Sequence, residues 1–124
     1  MLKYYNPNPL GKNVDDCSIR AVSKALSLTW DEAFDILSGY GKAIGDLQNS
    51  NLAIDLVLRN NGFVRDIIPN TCPFCYTAED FCTDNPIGIF VLGFGYHVAT
   101  VIDGDIYDSI DSSRMIPLYY YRKR

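Results

Sequence analysis

The chain has 124 residues, the length of a single domain, and 48% of them are hydrophobic, enough to build a core without a structural metal. Acidic residues outnumber basic ones by 15 to 11, and no basic stripe exists to neutralise phosphates, which argues against a nucleic-acid partner. No apolar stretch approaches the length of a membrane span, and Met1-Leu2-Lys3-Tyr4-Tyr5-Asn6-Pro7 lacks the apolar run of a secretion signal. The expected setting is therefore a reducing cytoplasm, with all four cysteines as thiols.

The first dozen residues, with Pro7, Pro9 and Gly11, read as an irregular entry. A first helix follows, opened by Asp15 and Asp16 and carrying Ile19, Val22 and Leu26 at helical spacing, with Ala21 and Ala25 widening the stripe. Cys17 falls in its first turn. A second helix starts at the capping box Thr29-Trp30-Asp31-Glu32, shows Trp30, Phe34 and Leu37 on its apolar face, and is expected to end at Gly39. Residues 39 to 49 then read as a glycine-rich loop. Ser50 or Asn51 can cap a third helix holding Leu52, Ile54, Val57 and Leu58, closed by Gly62.

Phe63 to Ile68 is a short apolar run of ambiguous type. Thr77-Ala78-Glu79-Asp80 starts another helix, which Asn85-Pro86 stops. Beyond it the pattern turns to strands: Ile87 to Leu92, then His97 to Ile102, then Asp105 to Asp108 across a two-residue Asp103-Gly104 turn, and one more within Met115 to Tyr121. Helices first and strands second predict an α+β domain over residues 1–124, with N-terminal helices packed on a C-terminal antiparallel sheet.

The chain has one histidine, so any mechanism with an imidazole base must use His97. By itself a strand histidine is as well explained by a bond to a carbonyl. The hairpin adds information. A two-residue turn at Asp103-Gly104 sets Ala99 opposite Asp108 and His97 opposite Ile110. His97, Ala99, Asp108 and Ile110 then share one face, and His97 and Asp108 become diagonal neighbours, roughly 7–8 Å apart at the backbone. A carboxylate there can fix the imidazole tautomer and stabilise its cation. Asp111 is the rival orienting acid, brought round by a bulge. Cys17 supplies a thiol at a helix N-terminus, where the dipole favours the thiolate; a small buried hydrophobe is the plainer role for it.

Cys72-Pro73-Phe74-Cys75, with Cys82 beyond, has only three clustered cysteines where a zinc site wants four ligands, and lacks the strand and helix that frame a redox Cys-x-x-Cys. Gly93-Phe94-Gly95 is no phosphate loop, because no helix follows it. It can let a substrate backbone approach His97.

Three segments together, Asp15-Asp16-Cys17-Ser18-Ile19-Arg20-Ala21, Tyr76-Thr77-Ala78-Glu79-Asp80-Phe81 and His97 through Asp108, resemble the papain-like cysteine peptidase superfamily. The likeness is to its small members, the bacteriocin-leader peptidases and the phage and prophage mini-peptidases. It implies a papain-like fold and thiol hydrolysis of a peptide, isopeptide or amide bond in a peptide or protein substrate. It implies no cofactor and no metal, and the cytoplasm of a bacterial host as the setting. Cys17 maps onto the nucleophile, His97 onto the base and Asp108 onto the orienting residue. The family's glutamine five or six residues before the cysteine is replaced by Gly11 and Lys12, which leaves Asn13 as the candidate oxyanion donor, with the Cys17 backbone N–H as a second. The alternative the resemblance leaves open is a catalytically silent papain-like phage accessory protein that binds a host protein or small molecule.

Overall fold

The computed structural model describes residues 1–124. Ten elements follow one another: β1 (Leu2–Tyr4), α1 (Cys17–Leu26), α2 (Trp30–Ile44), α3 (Asn51–Asn60), β2 (Phe63–Ile67), α4 (Ala78–Asp84), β3 (Ile89–Gly93), β4 (Val98–Ile102), β5 (Asp105–Asp108) and β6 (Tyr119–Lys123). The strands form one six-stranded sheet in the order β1-β5-β4-β3-β6-β2. The α+β class and the helices-then-strands order match the expectation. No helix is long and apolar enough to cross a membrane.

The sheet is mixed, where an antiparallel one was expected. Residues 2–4, read as irregular, pair parallel with β5, Leu2 facing Ile106 and Tyr4 facing Asp108. Such a pairing joins segments a hundred residues apart, so no local pattern announces it. The remaining ladders are antiparallel.

Two apolar clusters flank the sheet. Ile19, Val22, Leu37, Val57 and Leu58 from α1, α2 and α3 pack on Phe63, Val91, Val98 and Tyr121. On the opposite face Ala78, Phe81 and Cys82 of α4 pack on Phe90, Leu92, Ala99, Val101 and Ile106. The uninterrupted run Ile89-Phe90-Val91-Leu92 is what a strand covered on both faces requires. α1 is the most enclosed helix; even Ser18, Arg20 and Ser23 are buried.

Both capping boxes form as the sequence predicts: Thr29 with Glu32, and Thr77 with Asp80. Gly39, however, does not end α2. The helix runs on to Ile44, with Gly45 in the left-handed conformation as its cap. The buried positions Ala33, Leu37 and Gly41 recur every four residues, and that stripe outweighs the roughly 1 kcal/mol a glycine costs inside a helix. Gly41 is itself required, because a Cβ there would lie 2.8 Å from the Asp46 carbonyl oxygen.

The Asp103-Gly104 turn takes positive φ at both residues, 49° and 81°, and sets Ile102 opposite Asp105 as expected. The cysteines depart from expectation. Cys72 and Cys75 are joined in a disulfide, since the turn through Pro73 and Phe74 brings their Cα atoms 4.1 Å apart; only Cys17 and Cys82 are free.

Gly93 faces Tyr119 across β3 and β6, and a Cβ on it would sit 2.0 Å from the tyrosine ring. Gly93→Ala is expected to cost about 1–3 kcal/mol in urea denaturation, as overpacking does. Most of that cost should vanish in the Tyr119→Ala background, which a double-mutant cycle measures.

Candidate active site

Cys17 and His97 line the same cleft, a concavity of about 340 Å³ between the N-termini of α1 and α3 and the loop that joins β3 to β4. Cys17 is the first residue of α1. Its neighbour Asp16 occupies the cap position but its side chain caps nothing. The Asp16 carboxylate is turned inward instead, accepting from Arg20 Nη1 on one oxygen and, at 2.8 Å, from Trp30 Nε1 on the other. The first backbone N–H groups of α1 are thus left without a side-chain acceptor, next to the thiol.

His97 precedes β4 by one residue. Its Nε2 donates to Asp108 Oδ2 at 2.7 Å, which leaves Nδ1 as the nitrogen available to Cys17. Asp108 ends β5 and is almost wholly buried. Its Oδ2 also accepts from the Ser112 hydroxyl at 2.8 Å, and its Oδ1 accepts from Arg20 Nη2 at 3.0 Å and the Ser109 N–H at 2.7 Å. Each oxygen of this carboxylate therefore has two donors.

The electrostatics follow from that wiring. Burial alone would depress the His97 pKa; the hydrogen bond to Asp108, and then the adjacent Cys17 sulfur, outweigh it and lift the pKa to about 9. Burial alone would raise the Asp108 pKa; hydrogen bonds from His97 and Ser112, with the charges of His97 and Arg20, hold it below the usual carboxylate value. At neutral pH the imidazole carries its proton.

The structure brings three of the expected site residues together: Cys17, His97 and Asp108. It separates the other two. Asp111 is exposed and folds back on itself, its Oδ1 accepting from the Ser113 N–H and hydroxyl, so it does not orient the histidine. Asn13 is exposed in the segment before α1 and does not line the cleft. The chain reaches Cys17 from the solvent side, and Asp15, not Asn13, is the upstream residue that lines the cleft. The amide side chains that do line it, Asn49 and Asn51, stand on the far wall at the start of α3.

The hairpin register holds, but one consequence drawn from it does not. His97, Ala99, Asp108 and Ile110 do not form a continuous strip. Ala99 lies in the α4 cluster and Ile110 is half-exposed, because the β4–β5 ladder stops at Thr100 opposite Tyr107. Beyond that point the side chains follow the hydrogen bonds of the site instead of the strand alternation.

Arg20 is the functional residue the sequence reading missed. Its spacing from Asp16, one helical turn, was a visible signal, as was a cation inside an apolar stripe. Its bond to Asp108 was not visible.

Comparison of the chain with protein-family models, with curated proteins and with solved structures found no match.

Two outcomes follow from this wiring. Arg20→Met leaves Asp16 and Asp108 buried without their shared cation, and is expected to destabilise the fold by about 3–5 kcal/mol in urea denaturation. His97 binds its proton more tightly folded, about 9, than its ordinary 6.5. Its contribution is therefore complete below pH 6.5 and is lost as pH rises through 9. Wild-type stability should fall over that interval by on the order of 3 kcal/mol more than that of His97→Gln, read from denaturation midpoints at each pH.

Proposed function

We propose that this chain is a small papain-like cysteine hydrolase acting on a peptide, isopeptide or amide bond in a peptide or protein substrate. The observation that carries the reading is the meeting of the free thiol of Cys17 with the sole imidazole in one cleft, the imidazole being held from behind by a buried carboxylate. A helix-tip thiol, a base and an orienting acid are the parts that thiol hydrolysis needs.

In this mechanism the proton of the Cys17 thiol already rests on His97, and the nucleophile is the thiolate. The thiolate attacks the carbonyl carbon, a C–S bond forms, and the carbonyl oxygen becomes an oxyanion beside the uncapped amides of α1. His97 then gives its proton to the leaving amine as the C–N bond breaks. Water, deprotonated by His97, hydrolyses the thioester, and the thiol returns as leaving group. Asp108 keeps Nε2 occupied throughout, so that Nδ1 does the work. No step calls for a cofactor.

The second reading is a catalytically silent binding module of the same fold. Its support is the position of Asn13 outside the cleft, which leaves the oxyanion without an upstream side-chain donor. Loss of one such donor costs roughly 10²–10³ in rate.

Iodoacetamide labelling separates the two. Cys82 is buried, its pKa pushed up by desolvation, and Cys72 and Cys75 are bonded to each other, so Cys17 is the accessible thiol. A hydrolase should alkylate at Cys17 at pH 6, and His97→Ala should slow the reaction about tenfold or more. Equal rates in wild type and His97→Ala would remove the enzyme reading.

A further inference from the structure

The reactive cleft does not stop at Cys17. Asn51, at the start of α3, lines it on one side and on the other lines a second hollow of about 340 Å³, formed with Asp55 and Arg59 of α3, Arg65 of β2 and Tyr119 and Tyr121 of β6. Tyr119 and Cys17 both pack against the same core, and the Tyr119 ring lies over Gly93 at the end of β3.

The charges in this hollow are unequal. Arg59 Nε lies 2.9 Å from Asp55 Oδ1, and that oxygen also accepts from the Tyr121 hydroxyl at 2.5 Å, so these two charges compensate each other. Arg65 has no such partner. Its guanidinium carbon lies 4.3 Å from the centre of the Tyr119 ring, and it enters no ion pair. Asp66, next in the chain, points to the other face of β2, where its carboxylate lies 3.9 Å from Arg122. One net positive charge therefore remains in a hollow of a chain whose formal charge is −4.

A guanidinium held over an aromatic ring and free of any ion pair keeps its N–H groups available, and their fork matches the two oxygens of a carboxylate. We propose that this hollow is a carboxylate-binding subsite of the cleft, with Arg65 as the recognising residue and Tyr119 as its platform. Resting on the hydrolase reading, it makes the substrate class a peptide with a carboxylate a short distance from the cleaved bond, supplied by an acidic side chain or by a free C-terminus. Arg65 is here a specificity residue and touches no reacting atom.

Disulfide exchange at Cys17 tests this without requiring turnover. Thiol-linked fragments of several linker lengths are equilibrated with the protein in increasing β-mercaptoethanol, and occupancy of Cys17 is read by mass spectrometry of its peptide. One series ends in a free carboxylate or its carboxamide; the other carries glutamate or glutamine with an amidated end, which separates the two sources of the carboxylate. For at least one linker in one series, the acid should withstand roughly fivefold more β-mercaptoethanol than its amide. Arg65→Gln should abolish the difference, and Arg65→Lys should retain part of it. Equal retention of acid and amide at every length, or a preference that survives Arg65→Gln, would overturn the subsite. Loss of His97-dependent alkylation with the carboxylate preference intact would remove the hydrolase reading alone.

Discussion

One guanidinium ties the two halves of the candidate site together. Arg20 sits between Asp16, the residue before the thiol, and Asp108, the residue behind the imidazole. The chain separates Asp16 from Asp108 by more than ninety positions, and no sheet ladder joins the two. Without Arg20 the start of α1 and the end of β5 would be two buried carboxylates repelling each other. With it, they are fixed at hydrogen-bond distance from a single planar group, and Cys17 and His97 inherit that placement. Trp30 and Ser112 satisfy remaining acceptors of the two acids, and no buried side-chain polar atom in the molecule lacks a partner. A network of this kind rigidifies because it is complete.

The same network explains the proton on His97. Two carboxylates and one guanidinium sum to −1, and the imidazolium brings the cluster to neutrality. A neutral imidazole would leave a net negative charge in a place that water barely reaches. The pull on the proton comes from Asp108 and the Cys17 sulfur, working against burial, and Arg20 helps to hold Asp108 ionised for it.

What could be read in the sequence was what local chemistry determines. The capping boxes at Thr29 and Thr77, the Asp103-Gly104 turn with its register, and the helical stripe behind Cys17 all depend on residues a few positions apart. The extension of α2 past Gly39 was missed because burial of Gly41 against the Asp46 carbonyl is a tertiary fact that helix propensity does not contain. The parallel pairing of β1, the docking of α4 on the far face and the Arg20–Asp108 bond were missed because each joins distant segments. Asn13 was chosen by distance along the chain from Cys17, yet the direction from which the chain enters α1 decides which side chain reaches the cleft, and that direction has no sequence signature. His97 with Asp108 was found for a mixed reason: the register was right, while the shared face extended only as far as the ladder.

A buried ion network is a poor way to stabilise so small a domain. Apolar side chains of similar volume in place of buried ion pairs are often neutral or stabilising by about 1–4 kcal/mol. α1 already has Ile19, Val22 and Ala25 in the apolar core to anchor it. A chain that needed only to fold could carry apolar side chains at Asp16, Arg20 and Asp108 together. What a fork of N–H groups supplies and an apolar side chain cannot is direction: it fixes the plane of each carboxylate, hence the line along which Asp108 meets Nε2 and the way the other nitrogen faces the sulfur. The placement of charge in this core is therefore better explained by the alignment of Cys17 with His97 than by the stability of the fold.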